Sequence, residues 1–249
     1  MNLTPVRLRR CALLLAATLA CCHDAFAGTG YYLVTTYPNE GQRAVDFKYW
    51  ASTLDGVPLL AAPELGLAYN VSSRWYTELT VGGFRLGAGS THLEAVEWQN
   101  DFMLTQGELP VDLAIHTNIE RATDGSGALA IEYGPVLQTE VGRTQLNLNL
   151  FLQRALRTGQ PQNTELVYQW QVKYRWREAL QWGVQGFGEV GTWNDWLPRA
   201  RQSHRAGPAL SGTWQLAGKQ ELRYEAALLV GTNTAIHGKT FSTRIQYVF

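Results

Sequence analysis

Cysteine is confined to Cys11, Cys21 and Cys22, so beyond residue 22 the chain has no disulfide framework and no thiolate metal site. Charge of one sign is lacking as well. The 21 Lys and Arg residues balance 21 Asp and Glu, which removes the electrostatic reason to expect nucleic acid as a partner. The five histidines are scattered without metal-ligand spacing, so no metal and no other cofactor is expected. No apolar run of about 18 residues follows residue 27, which excludes a transmembrane helix there. Any membrane crossing must be made by strands.

What is present begins with a basic head, Arg7, Arg9 and Arg10, then the apolar run "CALLLAATLACC", then "AFA" before Gly28. That order predicts a secretory signal peptide over 1–27, cut after Ala27. A lipoprotein site at Cys21 is the alternative, but Thr18 stands three positions before it, where a Leu is usual. Cleavage removes Arg7, Arg9, Arg10 and Asp24 and leaves 18 basic and 20 acidic residues, a net charge of −2. The mature chain then starts "GTGYYLVTTY".

From residue 43 onward the pattern has period two. In "LVYQWQVKYRWR", 166–177, Tyr168, Trp170, Tyr174 and Trp176 share one face of a strand, and Gln169, Gln171, Lys173 and Arg175 share the other. Such segments recur near 43–50, 62–71, 73–84, 92–105, 109–119, 128–141, 144–155, 164–177, 181–192, 205–216, 220–231 and 239–249, about twelve in one domain. Their links alternate in length. Short turns fall at Ser72, near Gly107, at "GR" 142–143, at "EAL" 178–180 and near "AGK" 217–219. Between them come longer polar links such as "STLDGVPLLAA" 52–62, "RATDGSGA" 121–128 and "TWNDWLPRARQSH" 192–204. Short turns on one side and long loops on the other suit a transmembrane antiparallel up-and-down β-barrel.

The turn at Gly142-Arg143 sets a register that can be checked. It places Tyr133, Pro135, Leu137 and Thr139 opposite Leu152, Leu150, Leu148 and Leu146, while Glu132, Val136, Gln138 and Glu140 oppose Gln153, Asn149, Asn147 and Gln145. One face is uniformly apolar. The other holds amides and carboxylates that need water or one another, which fits a polar lumen inside a lipid-facing wall. A soluble sandwich with an aromatic core is the alternative. Tyr49, Trp75, Trp98, Tyr133, Trp176, Trp182, Trp214 and Tyr247 are expected in two interfacial girdles.

The chain ends "STRIQYVF". Ser242, Tyr247 and the terminal Phe249 resemble the last strand of Gram-negative outer-membrane β-barrel proteins, with Arg244 where that pattern prefers Gly. The resemblance is to the porin- and transporter-like class as a whole. It implies an outer-membrane location, contact with outer-membrane lipid, and recognition by the barrel-assembly machinery through Phe249. The expected layout is a signal peptide over 1–27, an N-terminal periplasmic segment over 28–42 and the barrel over 43–249.

Motifs for chemistry are weak. "GFGEVG", 186–191, has GxGxxG spacing but lies inside a strand with no helix after it, so glycines that relieve crowding explain it better than a dinucleotide site. His116 with Asn118 has the spacing, but not the Ser, of a membrane-embedded lipid hydrolase, and both residues point into the lumen. "NVS" at Asn70 is a chance tripeptide, and His204 and His237 fall in expected loops.

The distributed charge is more telling. Glu64, Glu78, Glu97, Asp101, Asp112, Glu132 and Glu140 are expected inward in the first half, with Arg74 as the basic exception. Lys173, Arg175, Arg177, Arg205, Arg223 and Arg244 follow in the second, mixed with Glu165, Glu189, Glu221 and Glu225. With His116, Gln169 and Gln171 they line a narrow path for ions or small solutes, acids facing guanidinium groups across the barrel, or they lock together as a plug. A lipid hydrolase, and a closed barrel acting through loop residues Trp193, Trp196 and Arg199, are the other readings.

Overall fold

The computed structural model describes residues 30–35, 40–54, 57–156, 162–231 and 238–249. The expected signal peptide and His237 lie outside them. The strands follow in chain order as β1 (Arg43–Leu54), β2 (Val57–Ser72), β3 (Trp75–Leu86), β4 (His92–Met103), β5 (Asp112–Ala122), β6 (Leu129–Val141) and β7 (Thr144–Leu156). Then come β8 (Glu165–Arg177), β9 (Leu180–Thr192), β10 (Asp195–Trp196), β11 (Ser203–Gln215), β12 (Glu221–Gly231) and β13 (Gly238–Val248). β10 is a two-residue strand folded back on β9. The other twelve run antiparallel beside their chain neighbours, and β13 returns to β1 to close the barrel. Closure matters because hydrocarbon offers no partner to an unpaired N–H or C=O.

The alternation read from the sequence sorts residues onto the two faces. Gln169 and Gln171 are buried on the inner side of β8, whereas Trp176 is exposed on the outer side. Around the outside, Phe47, Leu67, Leu79, Trp98, Leu148, Leu228 and Ile245 are all exposed. In water such a band would cost about 25 cal/mol per Å² of apolar surface; in lipid it costs nothing. The GxGxxG segment lies within β9, where a Cβ on Gly186 would sit 2.4 Å from Trp170 Nε1 and one on Gly188 2.3 Å from the Tyr168 ring. These glycines seat two outward rings flat on the wall.

Some boundaries differ from expectation. β1 runs to Leu54 and β2 starts at Val57, because the apolar residues of the 52–62 stretch continue the ladder in spite of Pro58. β5 starts at Asp112 rather than 109. Pro110 lacks an N–H for pairing, and Asp112 Oδ1 instead accepts the Gly107 N–H at 2.5 Å. His204 belongs to β11 and not to a loop; its Nδ1 lies 2.8 Å from the Tyr168 hydroxyl.

The denser aromatic belt lies at the end bearing the short turns, where Trp75, Trp176, Trp182 and Trp214 are exposed. Trp75 stacks on Phe102 at 5.8 Å and Trp214 packs on Tyr224 at 5.0 Å. Tyr49 and Tyr133 lie away from that end. At the loop end the outward positions carry exposed Arg121, Arg154 and Lys239 instead, whose cationic heads reach water along apolar stems.

Leu148 sits in the middle of β7, opposite Leu137 and Trp170. Leu148→Arg should therefore cost about 2–4 kcal/mol, while Leu148→Phe keeps the outer face apolar and should be nearly neutral. Urea titrations of refolding into lipid vesicles measure both, and equal costs would place this face away from lipid.

Candidate functional site: the lumen and the strap within it

Three groupings organise the inner face. The first lies at the seam, where Lys48 on β1 stands directly opposite Arg244 on β13. Two cations side by side would repel, but carboxylates separate them. Arg244 Nε donates to Asp46 Oδ2 at 2.7 Å, and its Nη2 lies 3.5 Å from Glu78 Oε2. Lys48 Nζ lies 2.9 Å from Glu78 Oε1. Glu78 also accepts from the hydroxyls of Tyr76 at 2.5 Å and Thr80 at 3.2 Å. Room for it comes from Gly66, where a Cβ would meet Glu78 Oε1 at 2.2 Å.

The second grouping is an acidic wall on β4–β6. His116 is fully buried, with Nδ1 2.6 Å from Asp101 Oδ1 and Nε2 3.2 Å from Glu132 Oε1. Both contacts are hydrogen bonds at once only if both ring nitrogens carry hydrogen or a carboxyl does. Phe151 packs on the ring at 4.6 Å. Gln99 donates to Asp101 at 2.7 Å, and Gln153 to Glu132. Nearer the loop end, Glu97 stands opposite Glu120 and accepts from Asn118 Nδ2 at 3.0 Å.

The third is a wall of amides on β6–β9. Gln145 donates to Asn147 at 2.8 Å, Asn147 to Gln138 at 2.7 Å, Asn149 to Gln169 at 3.0 Å and Gln171 to Gln185 at 2.8 Å. Neutral groups that are both donor and acceptor can satisfy one another without water or ions.

Residues 30–35 lie inside the barrel. The segment over 28–42 was expected in the periplasm, but its described inner part is drawn into the lumen because Tyr32, Leu33 and Val34 are apolar enough to be buried there. Val34 joins a cluster with Met103, Ala114, Val136, Phe151 and Val167. Tyr31 meets Trp50 and Phe187 edge-on at 5.3 and 5.7 Å, under Arg205. Below this strap, toward the short turns, a cavity of about 90 Å³ is lined by Tyr32, Asn70, Tyr76, Gln99, Asp101, Arg223 and Arg244 among others.

The expected lumen residues therefore do different things. Asp101, His116 and Glu132 form one unit, and Gln169 and Gln171 belong to the amide wall. Lys173 stands between Gln145 and Gly183. Asp112 ties down the β4–β5 link, and Arg175 pairs with Glu140 near the turn end, where both are partly exposed. Arg74 points to that link as well, donating to Leu104 O at 2.7 Å and pairing with Glu108. In Glu108 the Gln106 N–H, with Arg74 beside it, holds the carboxyl below its ordinary range. The guanidinium groups expected to confront Glu97 and Asp101 across the barrel pair locally instead, Arg244 as above and Arg223 with Glu221 at 2.7 Å. Lys48, Asp46, Glu120 and the strap escaped the sequence reading. A signal for the strap existed in "YYLV", a run too apolar for a solvated linker.

No family model matches this sequence, and no curated protein is similar to it. Solved structures are similar in shape. An outer-membrane channel from Pseudomonas putida F1 aligns with a TM-score of 0.62 over 89% of this chain and 99% of that one, at 10% identity. The fold is that of an outer-membrane channel barrel. KdgM porin, solved in complex with disordered oligogalacturonate, aligns with a TM-score of 0.57 over 82% of this chain and 99% of its own at 10% identity. The translocator domain of the autotransporter NalP from Neisseria meningitidis gives 0.51 over 96% and 95% at 11% identity.

Removing one member of a buried charged unit strands the others. His116→Ala should cost about 3–5 kcal/mol, leaving two carboxylates in a dry wall. Asn147→Ala breaks only neutral bonds and should cost about 1–3 kcal/mol. Refolding titrations compare the two, and the reverse order would mean that water reaches Asp101 and Glu132 freely.

Proposed function

We propose that this chain resides in the outer membrane as a narrow channel for small solutes, with cations favoured over anions. One observation carries the reading: a closed barrel, apolar outside, holds an inner face whose buried carboxylates outnumber its buried cations. Among the described residues these are Asp46, Glu78, Asp101, Glu120 and Glu132 against Lys48, Arg205 and His116. Low-dielectric walls focus the field of such an excess onto the passage. Twelve strands give an interior between the filled eight-stranded barrels and the open sixteen-stranded porins, so large solutes are excluded. The oligogalacturonate of the KdgM porin complex is an acidic sugar chain; an inner excess of carboxylates favours a different solute here.

In this reading the signal peptide over 1–27 is removed on export, the short turns face the periplasm and the long loops face outward. The strap enters from the periplasmic side. Phe249 is the residue the assembly machinery reads, a role its exposure at the turn end beside Tyr247 supports.

Single cysteines at Asp124 and Asn194 should label from outside intact cells with an impermeant reagent, and one at Lys219 should not. Labelling of Lys219 alone would invert the orientation. In planar bilayers under a potassium chloride gradient, reversal potentials should report cation preference, and Glu97→Gln with Glu120→Gln should lower it. Absence of current both from the whole chain and from a chain lacking residues 30–35 would overturn the channel reading.

A further inference from the structure

The strap is held in an unusual way. Among the described residues no main-chain hydrogen bond joins 31–35 to a strand. Instead the Val34 N–H donates to Gln169 Oε1 at 3.2 Å, and the Val34 C=O accepts from Asn149 Nδ2 at 3.0 Å. Two side-chain amides thus read the N–H and C=O of a single peptide residue, as a neighbouring strand would. Both are buried, and they are fixed by the bond between them. Beside them an apolar pocket of Met103, Ala114, Val136, Phe151 and Val167 receives the Val34 side chain. Such a pocket would be costly to wet. Asn149 Oδ1 is buried without a partner, so the cleft holds a further acceptor for a peptide N–H.

We propose that this part of the lumen wall is a binding cleft for a short apolar peptide, that residues 31–34 are its tethered occupant, and that their release opens the passage. The strap fills the lumen between the turn-end cavity and the loop end. Its departure breaks no ladder hydrogen bond, so the barrel stays closed as a sheet while the path clears. Gly41 and Gln42, just before β1, are held by main-chain hydrogen bonds to Asn70 at the end of the short turns, so the strap stays attached at that end when it leaves its cleft. The gating consequence rests on the channel reading; the cleft itself does not.

The test compares the whole chain, a variant lacking residues 30–35 and the full-length Val34→Asp variant, which places a carboxylate in the apolar pocket. The probe is the synthetic peptide Gly-Tyr-Tyr-Leu-Val-Thr, capped at both ends. In planar bilayers both variants should raise the time-averaged current several-fold. The peptide, added from the side of the short turns, should return the deletion variant to the level of the whole chain, and the same peptide with Asp in place of Val should not. Equal, measurable currents from all three proteins would overturn the gate while leaving the channel standing. Binding of fluorescently labelled peptide in detergent needs no current. Uptake by the deletion or Val34→Asp variant, with none by the whole chain, supports the cleft even if nothing conducts. No uptake by either variant would sink it.

Discussion

In hydrocarbon every peptide N–H and C=O must find a partner in the protein itself, and the eleven residue pairs that join β1 to β13 complete that requirement by leaving no edge. Once the sheet is closed it has only two faces, and a strand's period of two assigns each residue to one of them. Leu148 faces outward and Asn149 the lumen for the same reason, and a slip of one residue would exchange them. The outer face then needs only to be apolar. The inner face has the harder task, because the space within twelve strands is too narrow for bulk water and too polar to be left dry.

Three different chemistries meet that task. Amides on β6–β9 bond to one another, carboxylates on β4–β6 flank the ring of His116, and cations at the seam are set between Asp46 and Glu78. The strap adds a fourth, apolar chemistry, with Val34 covering Val136 and Phe151 and Tyr31 covering Phe187, which would otherwise be wet. Its attachment through side chains alone separates the stability of the barrel from the occupancy of its lumen, since no rung of the sheet depends on Val34.

Much of this was legible. Alternation divided β8 into two faces, and the Gly142-Arg143 turn gave the residue-by-residue pairing of β6 with β7, whose amide-rich face marked which side turns inward; local rules govern both. The misses have a common cause: they depend on contacts between residues far apart in the chain. Arg244 was read as an inward cation, but its partner Asp46 is 198 residues away and meets it only through closure and stagger. Asp112 looked like a lumen carboxylate until the backbone of Gly107 claimed it. The strap followed no strand pattern, so nothing periodic marked it, although the burial value of "YYLV" was plain.

Glu78 bridges both cations at the seam yet belongs to neither seam strand. It arrives from β3, with the gap at Gly66 on β2 giving it room to lean toward β1. When the first and last strands come together, Lys48 and Arg244 stand face to face, and part of the charge that makes their meeting favourable is supplied from the strand behind β2, two places from the seam. Sealing thereby draws on three strands at once: Asp46 on β1 answers Arg244 directly, and the carboxylate carried in by β3 answers Lys48 and reaches Arg244 as well.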